Sequence, residues 1–247
     1  MKGFAIHINE KSESKAHRGS ENYYSRRNIL LNETLPKLKS IGIKVSLHDA
    51  ILYETLKYDR SNEHLNFNNK IEINFKRKKY KLDNPHPIGF EIALLLGHLH
   101  LWIKCVKLNE SILIIEDDVL IIDNLSLSNI HNSIIDFKNI DEPALLYLQS
   151  TTPSTEKPKR TLKNYNADIL FNFSQYLFRV SNEHYDWSGT AAYVINPKGA
   201  EKLIERVNDI GIMTPDGFIH RAFQERRLNP YIPKDYKNNF LLHPDLS

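Results

Sequence analysis

Hydrophobic positions in this chain fall into short dense runs, separated by polar stretches and by a few longer segments with helical spacing. Phe4-Ala5-Ile6-His7-Ile8 predicts a first strand, and the polar residues Asn9 to Ser20 predict a loop. Ser20 offers an N-cap to a helix in which Tyr23, Tyr24, Ile29, Leu30, Leu31, Leu35 and Leu38 fall near one face. Pro36 is placed to kink or break that helix and Gly42 to end it. Ile43 to Ala50 predicts a second strand, and strand, helix and strand in about fifty residues make a βαβ unit with parallel strands. Residues 53–84 are polar, rich in Asn and Lys, and without a period. After the punctuation of Pro85 and Pro87, Ile88 to Leu108 predicts a helix with Ile92, Leu95, Leu96, Leu99, Ile103 and Val106 on its apolar face.

The second half repeats the theme. Asn124 to Phe137 reads as loop and helix, and Ala144 to Leu148 as a buried strand. Residues 149–186 read as an irregular polar stretch of the kind that serves as a substrate lid. Ser188 to Ile195 reads as a strand of small residues, which lets a ligand or another backbone come close. Asn196-Pro197 opens a helix over Ala200 to Val207, and the Thr214-Pro215-Asp216-Gly217 turn opens another over Phe218 to Arg227. The tail, Asn229 to Ser247, has three prolines and predicts a segment packed along the surface.

The chemistry concentrates in one place. The run Ile112-Leu113-Ile114-Ile115 leads directly into Glu116-Asp117-Asp118, and Val119-Leu120-Ile121-Ile122 follows. Such a run reads as a strand buried on both faces. Three acids are a costly choice for a strand interior, but they suit its C-terminal end, where open α/β sheets bind ligands. Hard divalent cations take oxygen ligands, and Mg²⁺ or Mn²⁺ commonly links one or two carboxylates to substrate phosphates. A metal–diphosphate site at Glu116, Asp117 and Asp118 is one reading, and a solvated turn or helix cap is the other.

Composition narrows the setting. The 33 basic and 30 acidic residues of the 247 nearly balance, so a nucleic-acid or membrane partner is permitted but not demanded. The single cysteine, Cys105, excludes an internal disulfide framework, and its apolar context predicts a buried helix residue rather than a nucleophile. No apolar run approaches the about 20 residues that span a bilayer, and the first apolar stretch ends at Ile8, unlike a signal peptide. The expectation is a cytoplasmic protein, with peripheral membrane contact left open. Phe75-Lys76-Arg77-Lys78-Lys79-Tyr80-Lys81 reads either as a phosphate or nucleic-acid patch or as a lysine-guarded edge strand.

Five pieces, in order between residues 43 and 217, together resemble glycosyltransferase family 25, which contains lipooligosaccharide and collagen galactosyltransferases. They are Asp49-Ala50 after the second strand; Gly89 with Gly97-His98-Leu99; and Leu113-Ile114-Ile115-Glu116-Asp117-Asp118-Val119. Gly189-Thr190-Ala191-Ala192-Tyr193-Val194-Ile195 with Gly199-Ala200 and Leu203, and Pro215-Asp216, complete the set. The chain departs from the family where Asn9-Glu10-Lys11-Ser12 replaces an arginine-rich turn after the first strand, with Arg18 further on, and where Gly97 replaces a serine. The late motif lacks the family's valine.

The resemblance implies an α/β, GT-A-type, Rossmann-like fold: a mixed, mainly parallel sheet flanked by helices. It implies a single domain over 1–247, with a nucleotide-binding half (1–123) and an acceptor or catalytic half (124–247). It implies metal-dependent, inverting transfer of a hexose, galactose or glucose, from a UDP-linked donor to a hydroxyl on a surface glycan or lipooligosaccharide. Donor contacts would fall at Ile8, Asp49, Gly89, His98, Glu116, Asp117 and Thr190. Asp118, Glu116 and His243 would hold Mn²⁺ or Mg²⁺. Asp216 is the candidate base, with Asp186 beside Trp187 second. The basic stretches at Lys76 to Lys81 and Lys157 to Arg160 leave a modified nucleic-acid base open as acceptor. A metal-dependent nuclease or phosphotransferase, and a binding module without activity, are the competing classes. No lysine or histidine is spaced near the acids along the chain, which argues against the nuclease.

Overall fold

A computed structural model describes residues 1–8, 26–51, 64–67, 71–74, 85–121, 124–150, 169–182, 189–210, 213–234 and 240–242. In chain order, strand β1 (Lys2–His7) is followed by a helical segment over 26–40 that ends as helix α1 (Leu35–Ser40). The expected break at Pro36 does not occur. The segment instead widens into a π-helical turn over Leu30–Thr34, closed by the Leu35 N–H bonded to the Leu30 carbonyl. Proline has no N–H to give and its ring crowds the carbonyl one turn back, so a widened turn accommodates it without a break. Gly42 then adopts φ +77°, a left-handed position that glycine occupies without penalty.

β2 (Lys44–Asp49) follows, then a small hairpin, β3 (His64–Phe67) with β4 (Ile71–Asn74), inside the stretch that showed no period. α2 (Pro85–Leu108) starts earlier than its apolar spacing predicted. Pro85 and Pro87 lie in its first turn, where a missing N–H costs nothing. Next come β5 (Ile112–Glu116), a turn at Asp117-Asp118, β6 (Val119–Ile121), α3 (Asn124–Phe137) and β7 (Ala144–Tyr147).

The expected irregular stretch after residue 149 contains three strands, β8 (Gln149–Ser150), β9 (Ile169–Asn172) and β10 (Leu177–Val180). The small-residue strand is shorter than predicted, β11 (Ala192–Ile195), and its helix longer, α4 (Pro197–Ile210). α5 (Pro215–Gln224) includes Asp216 in its first turn. The tail is not a surface strap. It supplies β12 (Asn229–Pro233), buried inside the main sheet through Tyr231 and Ile232, and β13 (Phe240–Leu242). The prolines masked that strand in the sequence. The basic segments at 75–81 and 157–160 lie outside the described residues.

The main sheet has the order β2-β1-β5-β11-β7-β12-β10-β9. It is mixed: β2–β1, β1–β5 and β7–β12 pair in parallel, and the remaining pairs are antiparallel. Side chains alternate faces along each strand. Phe4, Ile6, Ile112, Ile114, Tyr193 and Ile195 pack with α2, α4 and α5 on one side. Ala5, Leu113, Ile115, Val194 and Leu146 pack with the 26–40 helix and α3 on the other. The result is a three-layer Rossmann-like α/β architecture, which explains the continuous apolar runs of the central strands. No described helix is long and apolar enough to cross a membrane.

Asn196 ties the second half together. Its Oδ1 accepts the N–H groups of Gly199, 2.8 Å away, and Ala144, 3.1 Å away, so one side chain caps α4 and anchors the start of β7. Its Nδ2 donates to the carbonyls of Ile140 and Glu142. This junction holds Gly199 so near β7 that a Cβ there would lie 2.6 Å from the Ala144 carbonyl oxygen. Gly97, inside α2, faces only two methyls of Ile6, at 3.9 and 4.0 Å. Opposite effects follow for the same substitution. Gly199→Ala destabilises by about 1–3 kcal/mol through overpacking, whereas Gly97→Ala stabilises by about 0.5–1 kcal/mol through helix propensity. Urea unfolding midpoints of the two variants against the parent read both signs.

Candidate active site

The acids lie at a topological switch point. From β1 the chain crosses to β2 through the 26–40 helix on one face of the sheet, and returns to β5, on the other side of β1, through α2 on the opposite face. Connections that diverge in this way open a crevice at the carboxyl ends of the strands. The parallel register brings those ends level: His7 pairs with Asp49, and Ile6 pairs with both His48 and Glu116. Ile8, Asp49 and the Glu116-Asp117-Asp118 turn are therefore gathered at one rim. Asp49 is exposed there, with its Oδ1 3.2 Å from Nε2 of the buried His7.

The three acids have three different environments. Glu116 is the last residue of β5 and its backbone N–H bonds to the Ala191 carbonyl, which brings the segment before β11 alongside. Thr190 Oγ1 donates to Glu116 Oε1 at 2.6 Å, and His98 Nε2 lies 3.3 Å from the same oxygen. Burial pushes the Glu116 carboxyl up, but these donors and the Arg26 charge outweigh it and hold the group below the usual carboxylate range. Asp117 is raised by burial and by the Glu116 charge, against the pull of Arg26 and of a hydrogen bond from the Ile8 backbone. Asp118 is raised furthest, to about 6, by burial first and the Glu116 charge second. Its Oδ1 is buried with no hydrogen-bond partner among the described residues.

The structure brings in residues that sequence reasoning missed. Arg26 reaches to 4.0 Å from Asp118 Oδ2, while its buried Nε has no hydrogen-bond partner among the described residues. It is held there because Thr34 Oγ1 and Lys37 Nζ donate to the carbonyls of Val119 and Ile121, fastening the helix to β6. Asn9-Glu10-Lys11-Ser12 stands where the resemblance would place an arginine-rich turn, and no signal beyond the Arg26-Arg27 pair marks this arginine. Tyr193 and Trp102 stand behind the acids. Trp102 Nε1 donates to Tyr193 Oη at 2.9 Å, and that oxygen lies 2.8 Å from His98 Nδ1. His98, predicted as a donor contact, has no exposed surface and is engaged at both ring nitrogens. The absence of a histidine near the acids in sequence does not hold in space.

The remaining candidates are placed by topology. Gly89 lies near the start of α2, the helix that leads down to the first residue of β5. β11 runs opposite to β5, so α4 begins at the far end of the sheet and α5 begins after the return, toward the acid end. Asp216 is in that first turn, half-buried, with Oδ1 accepting the Gly217 N–H at 2.9 Å. Asp186 and His243 lie outside the described residues. β13, which precedes His243, pairs antiparallel with β6, its last residue Leu242 opposite Val119. Cys105 is buried and its thiol is pushed up to about 12 by that burial, so it is no nucleophile.

Among the described residues no three His, Cys, Asp or Glu side chains converge into a ready-made metal site. What fits a hard divalent cation is narrower: the orphaned Oδ1 of Asp118, a carboxylate crowded by a second negative charge.

Comparison with curated proteins finds no match. The sequence model of one family does match, over residues 21–219, and that span takes in both crossovers of the switch point though not β1, together with the acidic turn, the Thr190–Tyr193 segment and Asp216. The chain belongs to glycosyltransferase family 25, described as LPS biosynthesis protein.

Proposed function

We propose that the crevice at the ends of β1 and β5 binds a UDP-linked hexose, galactose or glucose, and transfers it with inversion to a hydroxyl of a lipooligosaccharide or other surface glycan. The observation that carries this reading is the proximity at the switch point of two atoms with no hydrogen-bond partner among the described residues, the buried Asp118 Oδ1 and the buried Arg26 Nε. A carboxylate oxygen without a donor beside a guanidinium nitrogen without an acceptor, among the described residues, suits a cation and a diphosphate. In this reading the fold is of the GT-A type. Residues 1–123 take the nucleotide and 124–247 the acceptor, and the protein works in the cytoplasm with peripheral access to a membrane-held acceptor.

Asp118 would hold Mn²⁺ or Mg²⁺. His243 is the third-ligand candidate, supported by the return of β13 to the strand after the acidic turn. The bound cation would supply charge stabilisation to the departing diphosphate. Arg26 binds the same diphosphate from the protein side. Glu116, kept ionised by His98 and Thr190, and Asp117 accept from a ribose hydroxyl or a cation-bound water, with Glu116 also available as a ligand. Ile8, Asp49 and Gly89 form the rim around the nucleotide. Asp216 removes the proton of the acceptor hydroxyl, supported by its place at the acid end of α5; Asp186 is the alternative base.

Donor turnover by the purified protein tests the reading. Asp118→Asn is expected to lower Mn²⁺-dependent UDP-sugar turnover by about 10²–10³-fold with the fold intact. Arg26→Ala is expected to raise the donor KM by about 10–100-fold, the value of a charge-assisted contact. Metal-dependent hydrolysis of nucleic acid without sugar turnover would overturn the proposal.

Proton linkage gives a second test. A carboxylate must lose its proton to take a cation, and the Asp118 carboxyl stands at about 6. Mn²⁺ affinity, measured by titration calorimetry, is expected to rise with pH and level off above about pH 6, falling by up to about tenfold per unit below. For the metal-free protein the sign is reversed. The folded state holds a proton that the unfolded chain releases near pH 4, so this group's contribution to stability is present at low pH and lost as pH rises through about 6.

A further inference from the structure

We infer that His98 is a positioning residue, locked by the Tyr193 hydroxyl as its Nε2–H tautomer so that it donates to Glu116 and fixes that carboxylate at the crevice. The inference rests on the reading of Glu116 as part of the donor site.

In a place without water every proton must find an acceptor. Trp102, Tyr193 and His98 are all fully buried. Trp102 Nε1 can only donate, and at 2.9 Å it occupies one lone pair of Tyr193 Oη. The tyrosine proton then needs an acceptor, and the ring nitrogen 2.8 Å away, His98 Nδ1, is the group its oxygen meets. Nδ1 must therefore offer a lone pair. A neutral imidazole with a lone pair on Nδ1 carries its proton on Nε2, the nitrogen 3.3 Å from Glu116 Oε1. The opposite tautomer would strand the tyrosine proton and turn a nitrogen lone pair toward a carboxylate. A doubly protonated ring would also strand it. Burial pushes the Tyr193 phenol well above its ordinary value, so the hydroxyl keeps the proton it donates.

Geometry reinforces the lock. The His98 and Tyr193 rings stack, with centroids 5.8 Å apart and planes 17° from parallel. Trp102 in turn packs edge-on against Phe218 of α5. Thr190 adds a second donor to Glu116 Oε1 from the segment before β11. Two donors on one oxygen fix the carboxylate's orientation in advance, and Oε2 is outside this pair of bonds. Supporting partners of this kind are commonly worth 10–100-fold in affinity or activity.

The test reads the tautomer directly. Histidine-selective ¹⁵N NMR of the full chain near pH 7, with the His98 signals identified by their loss in His98→Gln, is expected to show Nε2 protonated and Nδ1 bare. Tyr193→Phe removes the hydroxyl that donates to Nδ1 while keeping the ring; with Glu116 still holding Nε2–H, it is expected to let Nδ1 take up a proton and to lower kcat for donor turnover about tenfold. Trp102→Phe leaves the tyrosine-to-histidine bond in place and is expected to keep the tautomer, which a merely structural role for the cluster would not distinguish. His98→Gln, whose amide can still donate, is expected to retain several-fold more activity than His98→Ala. A protonated Nδ1 in the parent protein, or a bare Nδ1 in Tyr193→Phe, overturns the inference. Absence of sugar turnover with the expected tautomer would overturn the functional proposal and leave the lock standing as a structural fact.

Discussion

A carboxylate taken out of water must find donors or a cation, and the end of β5 presents three carboxylates in succession. The protein provides for them unequally. Glu116 receives two side-chain donors, Asp117 receives the Ile8 backbone, and Asp118 is left with a buried oxygen that nothing described satisfies. That inequality separates a group held below the usual carboxylate range from one raised to about 6, whose ionised form a nearby positive charge would favour. A fold could not keep such a turn by hydrophobic packing alone, because desolvated like charges oppose it.

The rest of the architecture can be understood as the support for that turn. Crossovers on opposite faces of β1 open the crevice. The 26–40 helix is fastened to β6 by Thr34 and Lys37, which brings Arg26 alongside Asp118. On the other face, α2 carries His98 and Trp102 on successive turns, and Tyr193 from β11 joins them. β11 serves twice, since its first residues bring Thr190 and the Ala191 carbonyl to Glu116 and its last lead into the Asn196 junction. The two halves of the chain thus share one sheet, and the site draws on both.

Family membership and site geometry meet on the same residues. The match to glycosyltransferase family 25 covers the acidic turn and the segments that hold it. Sugar transfer needs a place to stabilise a leaving group, and among the described residues the switch point offers a carboxylate oxygen and a guanidinium nitrogen without hydrogen-bond partners.

The sequence by itself determined the strongly periodic parts: β1, β2, α2, β5, α3 and the order in which they come. Apolar runs and helical spacing record burial, and burial of these elements is decided by local pattern. It also located the acids at a strand end, because Ile112 to Ile115 have nowhere to go but a core. Tertiary structure alone decided the surroundings of each acid. His98 lies eighteen residues before Glu116 and Thr190 seventy-four after it, so no spacing rule could pair them. Arg26 belongs with Asp118 only because a π-helical turn and two side-chain bonds set the helix against β6. β12 is not legible in the sequence, because prolines at its second and last positions hide a strand whose burial comes from the sheet on both sides of it. The direction of a proton between Tyr193 and His98 is the furthest of all from the sequence, since it depends on three side chains from two elements meeting where water cannot reach.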